Sequence, residues 1–440
     1  MQTKPDAFAN SDAILNVEDL QIHFKMRGSG ISRLLGQEGG VVKAVDDVTL
    51  RLRRGEVLGL VGESGSGKTT LGRAVLGLAP ITSGTVQHIS AEDGRQVEIS
   101  KLRGKALRQQ RTKLQMIFQD PHAALNPSMT IETQVGHPLV IHHRAAGDDL
   151  RTQVIAALER VGLAPAEQFM GKYPSDLSGG QKQRAVIARA IILNPDILVA
   201  DEPVSMLDMS VRAKILQLML DLKQQLNLTY IYITHDLATA KFFCDRVAIM
   251  YLGKVVEIGP TDEIFAEPRH PYTKALLKAI PDIDPSRLVP RDLPRGEIPD
   301  AAHPPRGCSF HPRCPLARAE CGWEPRDLKA LVEEHWTRVP VEEYEHEHEV
   351  VGGLRELNTD ADSVKVQPTR GGTVDEIFAM FTKIRQENPD EPLWKGVTRM
   401  EKVSGGVDFG FAAPATVRLH PVGYSEVSCV LYESHPEAKK

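Results

Sequence analysis

The sequence predicts an α/β fold built on a parallel sheet, and three observations carry this prediction. Gly62 to Thr69 reads Gly-Glu-Ser-Gly-Ser-Gly-Lys-Thr, between an apolar strand pattern and a helical one. Two later apolar runs end in polar side chains, at Asp201 and at His235. Helical segments separate these runs, as connections between parallel strands require. The predicted architecture is a phosphate-loop domain with a β-rich N-terminal subdomain, a parallel-sheet core, a helical insertion at about 120–180 and small C-terminal domains.

Length and charge limit the function classes. The 440 residues suffice for two or three domains, and 53 basic against 58 acidic residues give a net charge of -5. This balance argues against a nucleic-acid binder that works through bulk charge. We find no run of 18 apolar residues, so we expect that the chain does not itself span a membrane. The polar N-terminus lacks the apolar segment of a secretion signal, which predicts a cytoplasmic location.

The N-terminal stretch reads as β structure. Ile14 to Phe24 alternates apolar and polar residues, which predicts a strand that ends near a glycine-rich loop, Arg27 to Gly40. A second strand pair is expected at Val41 to Leu52. Phe24 is a candidate to stack on a purine base, and a core residue of an edge strand is an equally good interpretation.

The glycine-rich run has the composition of a phosphate cradle. Its glycines carry no Cβ, so the backbone N–H groups can turn inward toward a polyphosphate at the positive end of the following helix. Lys68 is expected to reach the β and γ phosphates, and the Thr69 hydroxyl to ligate Mg²⁺. Phe24 is predicted to contact the purine base of the nucleotide. The other predicted nucleotide-binding residues are Gly62, Glu63, Ser64, Gly65, Ser66, Gly67, Lys68, Thr69 and Thr70.

Between the loop and the second apolar run lies a helical region. Leu114 to Gln119 is an apolar strand that ends in a glutamine, and Ile131 to Lys172 is mainly helical in pattern. Leu177 to Arg184 then places Ser-Gly-Gly-Gln at the start of a helix. Such a start is either a second anion site or a plain serine cap with a flexible entry.

Acidic and imidazole side chains end the two later strands. Asp201 suits the outer shell of a nucleotide-bound Mg²⁺, and Glu202 suits a general base for an attacking water. His235 follows the strand Tyr230 to Thr234 and suits a hydrogen bond to a γ-phosphate oxygen. The alternatives are two solvated acids and a structural histidine.

In this order, the motifs resemble the ATP-binding subunit of an ABC transporter, and Leu177-Ser-Gly-Gly-Gln181 separates that family from other phosphate-loop ATPases. More narrowly the chain resembles the ATPases of oligopeptide/dipeptide importers over about Ile14 to Trp336. The sequences that carry this resemblance are Gln119-Asp-Pro, Leu125-Asn-Pro127, His270-Pro-Tyr-Thr-Lys-Ala-Leu-Leu277 and Gly307-Cys-Ser-Phe-His-Pro-Arg-Cys-Pro315.

The resemblance implies ATP hydrolysis with Mg²⁺ and gives four strand-end residues a role. Gln119 would line the metal and the attacking water, and Asp201 would hold Mg²⁺ through water. Glu202 would polarise the attacking water, and His235 would contact the γ-phosphate.

The resemblance also implies a second homologous ATPase subunit, whose ATP site this chain would complete. Asp208 would link the two sites, and Met206 stands where we expect an alanine. The residues that would face the partner's ATP are Ser178, Gly179, Gly180 and Gln181.

Further implied partners are two transmembrane permease subunits and, indirectly, an extracellular substrate-binding protein, with no nucleic acid. The location implied is the cytoplasmic face of the cell membrane, where the chain would be peripheral. The expected cargo is oligopeptides or dipeptides, with oligosaccharides or nickel as alternatives. A soluble non-transport ABC ATPase and a redox-responsive regulator are the other function classes.

The chain has five cysteines, of which Cys308, Cys314 and Cys321 are clustered. In some members of the resembled family, four cysteines in this region hold a four-iron four-sulfur (4Fe–4S) cluster. The fourth, expected soon after His335, is absent here. Cys429, His346 or His348 would be the substitute, and three cysteines with a histidine would also suit zinc. The alternative is a set of reduced cysteines without metal.

The expected domain order follows from these patterns. Residues 1–265 form the ATPase domain and 266–340 the importer-type C-terminal region with the cysteine motif. The acidic residues at 341–352 are expected to be a solvated linker. Residues 353–440 form a small α+β extension, with a helix at Val374 to Glu387 and strands between Gly406 and Glu433, turning at Gly410, Pro414 and Pro421.

Overall fold

The computed structural model describes residues 12–25, 40–279, 296–369 and 371–433, in two compact units, Met1–Ala266 and Glu267–Lys440. The stretch 27–40, expected to be a loop, lies outside the described residues except for its last one. Within the described ranges, no helix has both the length and the apolar character that crossing a membrane requires.

Two sheets organise the first unit. The stretch from Val41 to Leu52, expected to be a strand pair, lies within one long strand, Val41–Arg53. The order of the antiparallel sheet is β2-β1-β4-β5. The strand bounds are β1 Ala13–Lys25, β2 Val41–Arg53, β3 Val57–Val61, β4 Ser83–Ile89, β5 Gln96–Glu98, β6 Leu114–Ile117, β7 Ile197–Asp201, β8 Thr229–Thr234, β9 Arg246–Tyr251 and β10 Lys254–Pro260.

The second sheet is the predicted parallel core. Strand β3 pairs in parallel with β8 and β9, and β7 pairs in parallel with β8 and β6, while β10 pairs antiparallel with β9. Every residue of β3, β7 and β8 is buried, which explains their continuous apolar runs. Because β3, β6, β7 and β8 are parallel, their carboxyl ends meet at one edge. The register pairs Val61 with Thr234 and Asp201 with Ile233 there.

Helices connect these strands. The predicted helical insertion lies between β6 and β7, where Gly136 allows close packing: a Cβ there would come within 3.1 Å of Leu150 and Val154 on the next helix. The helix bounds in the first unit are α1 Lys68–Val75, α2 Gly104–Gln110, α3 Pro121–Ala124, α4 Ile131–Ile141, α5 Gly147–Arg160, α6 Glu167–Met170, α7 Gly179–Ile191, α8 Met209–Leu226, α9 Leu237–Phe243 and α10 Thr261–Ala266.

The second unit contains an antiparallel sheet, in the order β11-β13-β12, and an antiparallel hairpin, β14-β15. The predicted helix at Val374–Glu387 packs on this sheet through Phe381, whose ring centroid lies 4.7 Å from that of Phe409. The bounds are α11 Pro271–Lys278, α12 Pro325–Trp336, α13 Val341–Val351, β11 Ser363–Val366, α14 Val374–Glu387, α15 Leu393–Gly396, β12 Val397–Val403, β13 Gly406–Phe411, β14 His420–Val422, β15 Ser425–Val427 and α16 Val430–Glu433.

The expectation of a solvated acidic linker was wrong. The acidic run is helix α13, and Glu347, Val350 and Val351 are buried on one of its faces. The indole N–H of Trp336 donates to Glu347 at 2.9 Å, so part of the acidic run is held by the preceding helix. A charge run predicts a solvated face, and only the buried partners reveal that this one also has an inner face.

Two expected turns are also wrong, because Gly410 lies inside β13 and Pro421 inside β14.

The residues beyond 352 pack against the cysteine region. Gly396 accommodates Trp323, since a Cβ at Gly396 would come within 2.0 Å of the indole. The backbone N–H of Ala415 donates to the carbonyl oxygen of Glu320 at 2.8 Å.

Candidate functional site

The glycine-rich run forms the predicted turn between β3 and α1. Gly67 has φ 99° and precedes the first residue of α1. A Cβ at Gly67 would lie 2.1 Å from the carbonyl oxygen of Ala44, and one at Gly62 would lie 2.2 Å from that of Met250. These distances to backbone atoms leave no space for a side chain, so the close packing of the loop requires glycine at both positions.

Lys68 is buried across the loop. Its Nζ donates to the carbonyl oxygens of Gly62 and Glu63, both at 2.7 Å, and to Ser66 Oγ at 3.2 Å. Burial lowers the pKa of Lys68, and the negative charges of Glu202, Asp201 and Glu63 oppose that change. The ammonium group is therefore fixed at the loop by acceptors that a polyphosphate can replace.

Thr69 and Asp201 bring the phosphate loop to the end of β7. The Thr69 hydroxyl donates to Asp201 Oδ1 at 2.9 Å. Burial raises the pKa of Asp201, while the hydrogen bond from Thr69 and the charges of Arg73 and Lys68 counteract this. A hydroxyl and a carboxylate are oxygen ligands of the kind that Mg²⁺ takes, so the donor set fits that ion.

Three strand ends converge on Glu202. Its Oε2 accepts a hydrogen bond from Gln119 Nε2, two residues after β6, at 2.9 Å. Its Oε1 accepts one from Nδ1 of His235, the residue after β8, also at 2.9 Å. Both oxygens of the carboxylate are thus oriented by side chains from neighbouring strands. The structure brings together the three residues that the sequence predicts as catalytic.

The backbone of Glu202 is unusual. Its φ is 46°, in the left-handed region that non-glycine residues seldom adopt, and its N–H donates to the carbonyl oxygen of Ile233 at 2.9 Å. The side chain is largely covered, with 16% exposed. Strained backbone held by the sheet is common where a side chain must be aimed at a ligand.

The Ser-Gly-Gly-Gln segment begins α7 with a capping box. Ser178 Oγ accepts from the Gln181 N–H at 3.4 Å, and Gln181 Oε1 accepts from the Ser178 N–H at 2.9 Å. Ser178 and Gly179 are exposed. The serine cap and the anion site, weighed as alternatives from the sequence, are therefore compatible, because the capped helix end faces outward.

Asp208 caps no backbone N–H and is exposed at the start of α8, next to Met209, which is 84% exposed. Arg212 holds this loop, donating to the carbonyl oxygens of Leu207 at 2.7 Å and Ser205 at 3.2 Å. We did not predict Arg212 as a site residue. An arginine on a helix gives no sequence signal of a contact with the preceding loop.

Phe24 lies near the end of β1 and is 40% exposed. Strand β1 is flanked by β2 and β4, so the interpretation of Phe24 as a core residue of an edge strand was wrong. Its register partner, Val42, is two residues from Ala44, the residue whose carbonyl oxygen covers Gly67. The purine-stacking role of Phe24 stays a prediction.

The cysteines of the second unit lie near one another. Burial raises the pKa of the Cys308 thiol, and the charges of Cys429, Cys321 and Cys314 raise it further. The Cys321 sulfur accepts the N–H of Arg318 at 3.2 Å. The structure thus adds Cys429 to the three predicted cysteines. The other two substitutes do not join them: His346 is 63% exposed, and His348 packs beside Trp336.

Comparisons with known proteins agree with this geometry. A family model described as ABC transporter matches residues 45–205, and one described as the oligopeptide/dipeptide transporter C-terminal region matches residues 256–321. The oligopeptide transport ATP-binding protein AppF of Bacillus subtilis is 41% identical over 330 residues, 74% of this chain and 97% of AppF. This chain belongs to the ABC transporter ATP-binding proteins of the oligopeptide/dipeptide type.

A further relative within the family is OppF of Salmonella typhimurium, an oligopeptide transport ATP-binding protein. It is 43% identical over 311 residues, 70% of this chain and 90% of OppF. A solved bacterial ABC transporter cassette, MJ0796, is 29% identical, covers 56% of this chain and 98% of its own, and has a TM-score of 0.48. Membership of the ABC transporter ATP-binding family makes this chain an ATPase, as the resemblance implied.

Proposed function

We propose that this chain hydrolyses ATP to energise the import of peptides, as one ATPase subunit of a membrane transporter. The observation that carries the proposal is the arrangement of Glu202 between Gln119 and His235, beside the buried Lys68. The similarity to AppF and OppF, which are oligopeptide transport proteins by name, supports peptides as the cargo.

In this proposal Glu202 accepts a proton from the water that attacks the γ-phosphate. Its two oxygens are already oriented, so a water near either oxygen meets a fixed acceptor. The side chain of His235 is 60% exposed, and in its imidazolium form it can donate to Glu202 through Nδ1 and to a phosphate oxygen through Nε2. Lys68 neutralises charge on the β and γ phosphates by exchanging the carbonyl oxygens of the loop for phosphate oxygens.

Mg²⁺ would be held by the Thr69 hydroxyl and, through water, by Asp201, with Gln119 nearby. Its contribution there is to neutralise charge on the phosphates. The hydrogen bond between Thr69 and Asp201 supports this donor set, because it keeps an oxygen atom of helix α1 and one of strand β7 at one point.

The second half of the ATP site would come from a partner subunit. Ser178, Gly179 and Asp208 are exposed, and this supports the proposal because residues that contact a partner's ATP must be accessible on the surface of the isolated chain. Substituting Ser178 by arginine is expected to abolish ATP-dependent pairing in sedimentation experiments with the chain and its cognate subunits. The matched control is Ser175→Arg, also exposed. Equal pairing in both variants would contradict this role.

Membrane association at the cytoplasmic face, through two permease subunits, follows from the same proposal. Purification from detergent-solubilised membranes tests it, since a transport ATPase should carry two multi-spanning proteins with it. A chain that purifies alone under all detergents would favour a soluble ABC ATPase or a regulator instead.

The cargo requires an uptake assay in cells that express the chain in place of their own copy. Cells with Glu202→Gln are expected to lose uptake of labelled oligopeptide and to keep uptake of labelled oligosaccharide and of nickel. Loss of oligosaccharide or nickel uptake with peptide uptake intact would refute the peptide assignment and leave the ATPase assignment standing.

We also propose that Cys308, Cys314, Cys321 and Cys429 hold a 4Fe–4S cluster. Four cysteine thiolates are the usual ligand set of such clusters, and the N–H of Arg318 on Cys321 is the kind of hydrogen bond that stabilises a bound thiolate. Zinc fits less well. Tetrahedral Zn–S bonds of about 2.3 Å need closely spaced sulfurs. Among the described residues, which include these four, no three of these sulfurs lie within 4.8 Å of one another.

Iron and sulfide analysis with visible absorption spectra, on protein purified without oxygen, tests the cluster. Cys429→Ser should reduce the iron content, while Cys244→Ser, a buried cysteine of the first unit, should not. Colourless wild-type protein without iron would exclude the cluster.

A further inference from the structure

A histidine and two glutamates converge in the second unit. One ligand atom each from His335, Glu343 and Glu347 lies within 4.8 Å of the others. His335 is in the last turn of α12. Glu343 and Glu347 are four residues apart on α13, so they project from the same side of the helix.

The histidine is buried and only partly satisfied. Its side chain is 3% exposed, and among the described residues its Nε2 atom has no hydrogen-bond partner. Glu347 Oε2 lies 3.3 Å from this nitrogen without a hydrogen-bond geometry. A buried ring nitrogen without a partner costs free energy, whereas a lone pair directed at a metal ion would be satisfied.

The surroundings orient the ligands. His335 Nδ1 lies 3.4 Å from Glu387 Oε2, and this carboxylate can hold the ring with Nε2 facing the other two glutamates. Trp336 Nε1 donates to Glu347 Oε2 at 2.9 Å, which fixes the second ligand. A carboxylate behind a histidine ligand and a hydrogen bond on a carboxylate ligand are regular features of protein metal sites.

The local charge also favours a cation. Glu343, Glu347 and Glu387 contribute three carboxylates, and Lys383 contacts Glu343 and lies 3.8 Å from Glu387. The side chain of Lys383 is 44% exposed, so its ammonium can exchange Glu343 for water when an ion binds. A cavity of about 330 Å³ adjoins His335 and Glu343 and leaves room for water ligands.

We propose that His335, Glu343 and Glu347 bind a divalent first-row transition-metal ion, with Glu387 as a positioning residue. An imidazole with two carboxylates suits ions such as zinc, manganese, iron or cobalt, and the remaining coordination positions would take water. The site joins the end of α12 to α13. It is independent of the ATP site and of the cysteines, so the experiment below does not depend on the function proposed above.

Cobalt titration of the nucleotide-free full chain tests the site. Metal is first removed with a chelator, and binding is followed by calorimetry and by visible absorption. Cobalt at these residues gives weak d–d bands, whereas cobalt at the cysteines gives intense thiolate charge-transfer bands, so the two sites are distinguished. We expect one ion per chain without the thiolate bands.

The decisive variant is Glu343→Gln with Glu347→Gln. Its matched control is Glu342→Gln with Glu345→Gln, which removes the same charge from exposed positions of the same helix. The first double variant should lose the ion, and the control should bind it as wild type does. Equal binding in the two double variants, or thiolate bands alone, would overturn the proposal.

Glu387→Gln gives a test that does not depend on the folding of the double variant, because this side chain is 47% exposed. Removing the group that orients a metal-bound histidine should weaken cobalt binding about 10- to 100-fold. A purely structural ion-pair role predicts unchanged cobalt affinity in this variant, and that result would also overturn the proposal.

Discussion

Replacing Glu202 by glutamine isolates the basicity of this side chain from its structural contacts. A glutamine oxygen can accept from Gln119 Nε2 as Glu202 Oε2 does. The glutamine amide can donate to His235 Nδ1 when that ring carries its proton on Nε2, so the second contact is kept as well. The volume is unchanged, and neither Lys68 nor Thr69 loses a partner.

The expected loss is therefore one of proton acceptance. General base catalysis by a positioned side chain contributes about 10²- to 10⁴-fold, so hydrolysis should slow by that factor. ATP affinity should stay near the wild-type value, because the phosphate loop is intact. Phosphate release at saturating Mg²⁺ and ATP measures the first quantity, and binding of a fluorescent ATP analogue measures the second.

The matched control is Glu159→Gln, an exposed glutamate on α5. It should hydrolyse ATP at the wild-type rate. If Glu202→Gln also hydrolyses at the wild-type rate, Glu202 is not the base. If it loses ATP binding as well as turnover, the hydrogen-bond reasoning above is wrong.

Three further predictions address the loop and the second unit. Lys68→Ala should abolish ATP binding in the fluorescent-analogue assay, because it removes the buried ammonium that faces the phosphates. Gly67→Ala should weaken ATP binding far more than Gly65→Ala in the same assay: both have positive φ, but only at Gly67 would the new Cβ meet backbone, at 2.1 Å. Burial raises the pKa of Glu324 from 4.5 to about 7. The folded state then binds more protons than the unfolded state between these values, so unfolding free energy should fall as pH rises from 4.5 to about 7. Chemical denaturation across this range should show a weaker fall in Glu324→Gln, and identical pH profiles would contradict the assignment.

Local sequence accounts for much of the ATP site. The glycine run determines a phosphate cradle because the required backbone path is excluded for side chains at Gly62 and Gly67. The apolar runs predict buried parallel strands, and their last residues predict the site edge, because parallel strands end together. These inferences need only spacing and residue type, which a single sequence carries in full.

Other features depend on partners that are distant in the chain. Glu202 reads from sequence as an acid at a strand end, but its orientation depends on Gln119, 83 residues earlier, and His235, 33 residues later. Arg212 gives no signal of its contacts with the preceding loop. Both depend on sheet register and helix position, which a local pattern does not contain.

The second unit also has some features that the local sequence predicts and others that depend on residues distant in the chain. Sequence by itself determined a helix at Val374–Glu387, because a helical pattern is a local signal. Only the tertiary structure shows that the acidic residues at 341–351 form a helix with one buried face. Glu347 is buried on that face because it contacts the end of the preceding helix. The tertiary structure also decided which residue joins the three clustered cysteines: Cys429, 108 residues beyond Cys321, lies near Cys308 because the chain returns there, while His346 stays exposed.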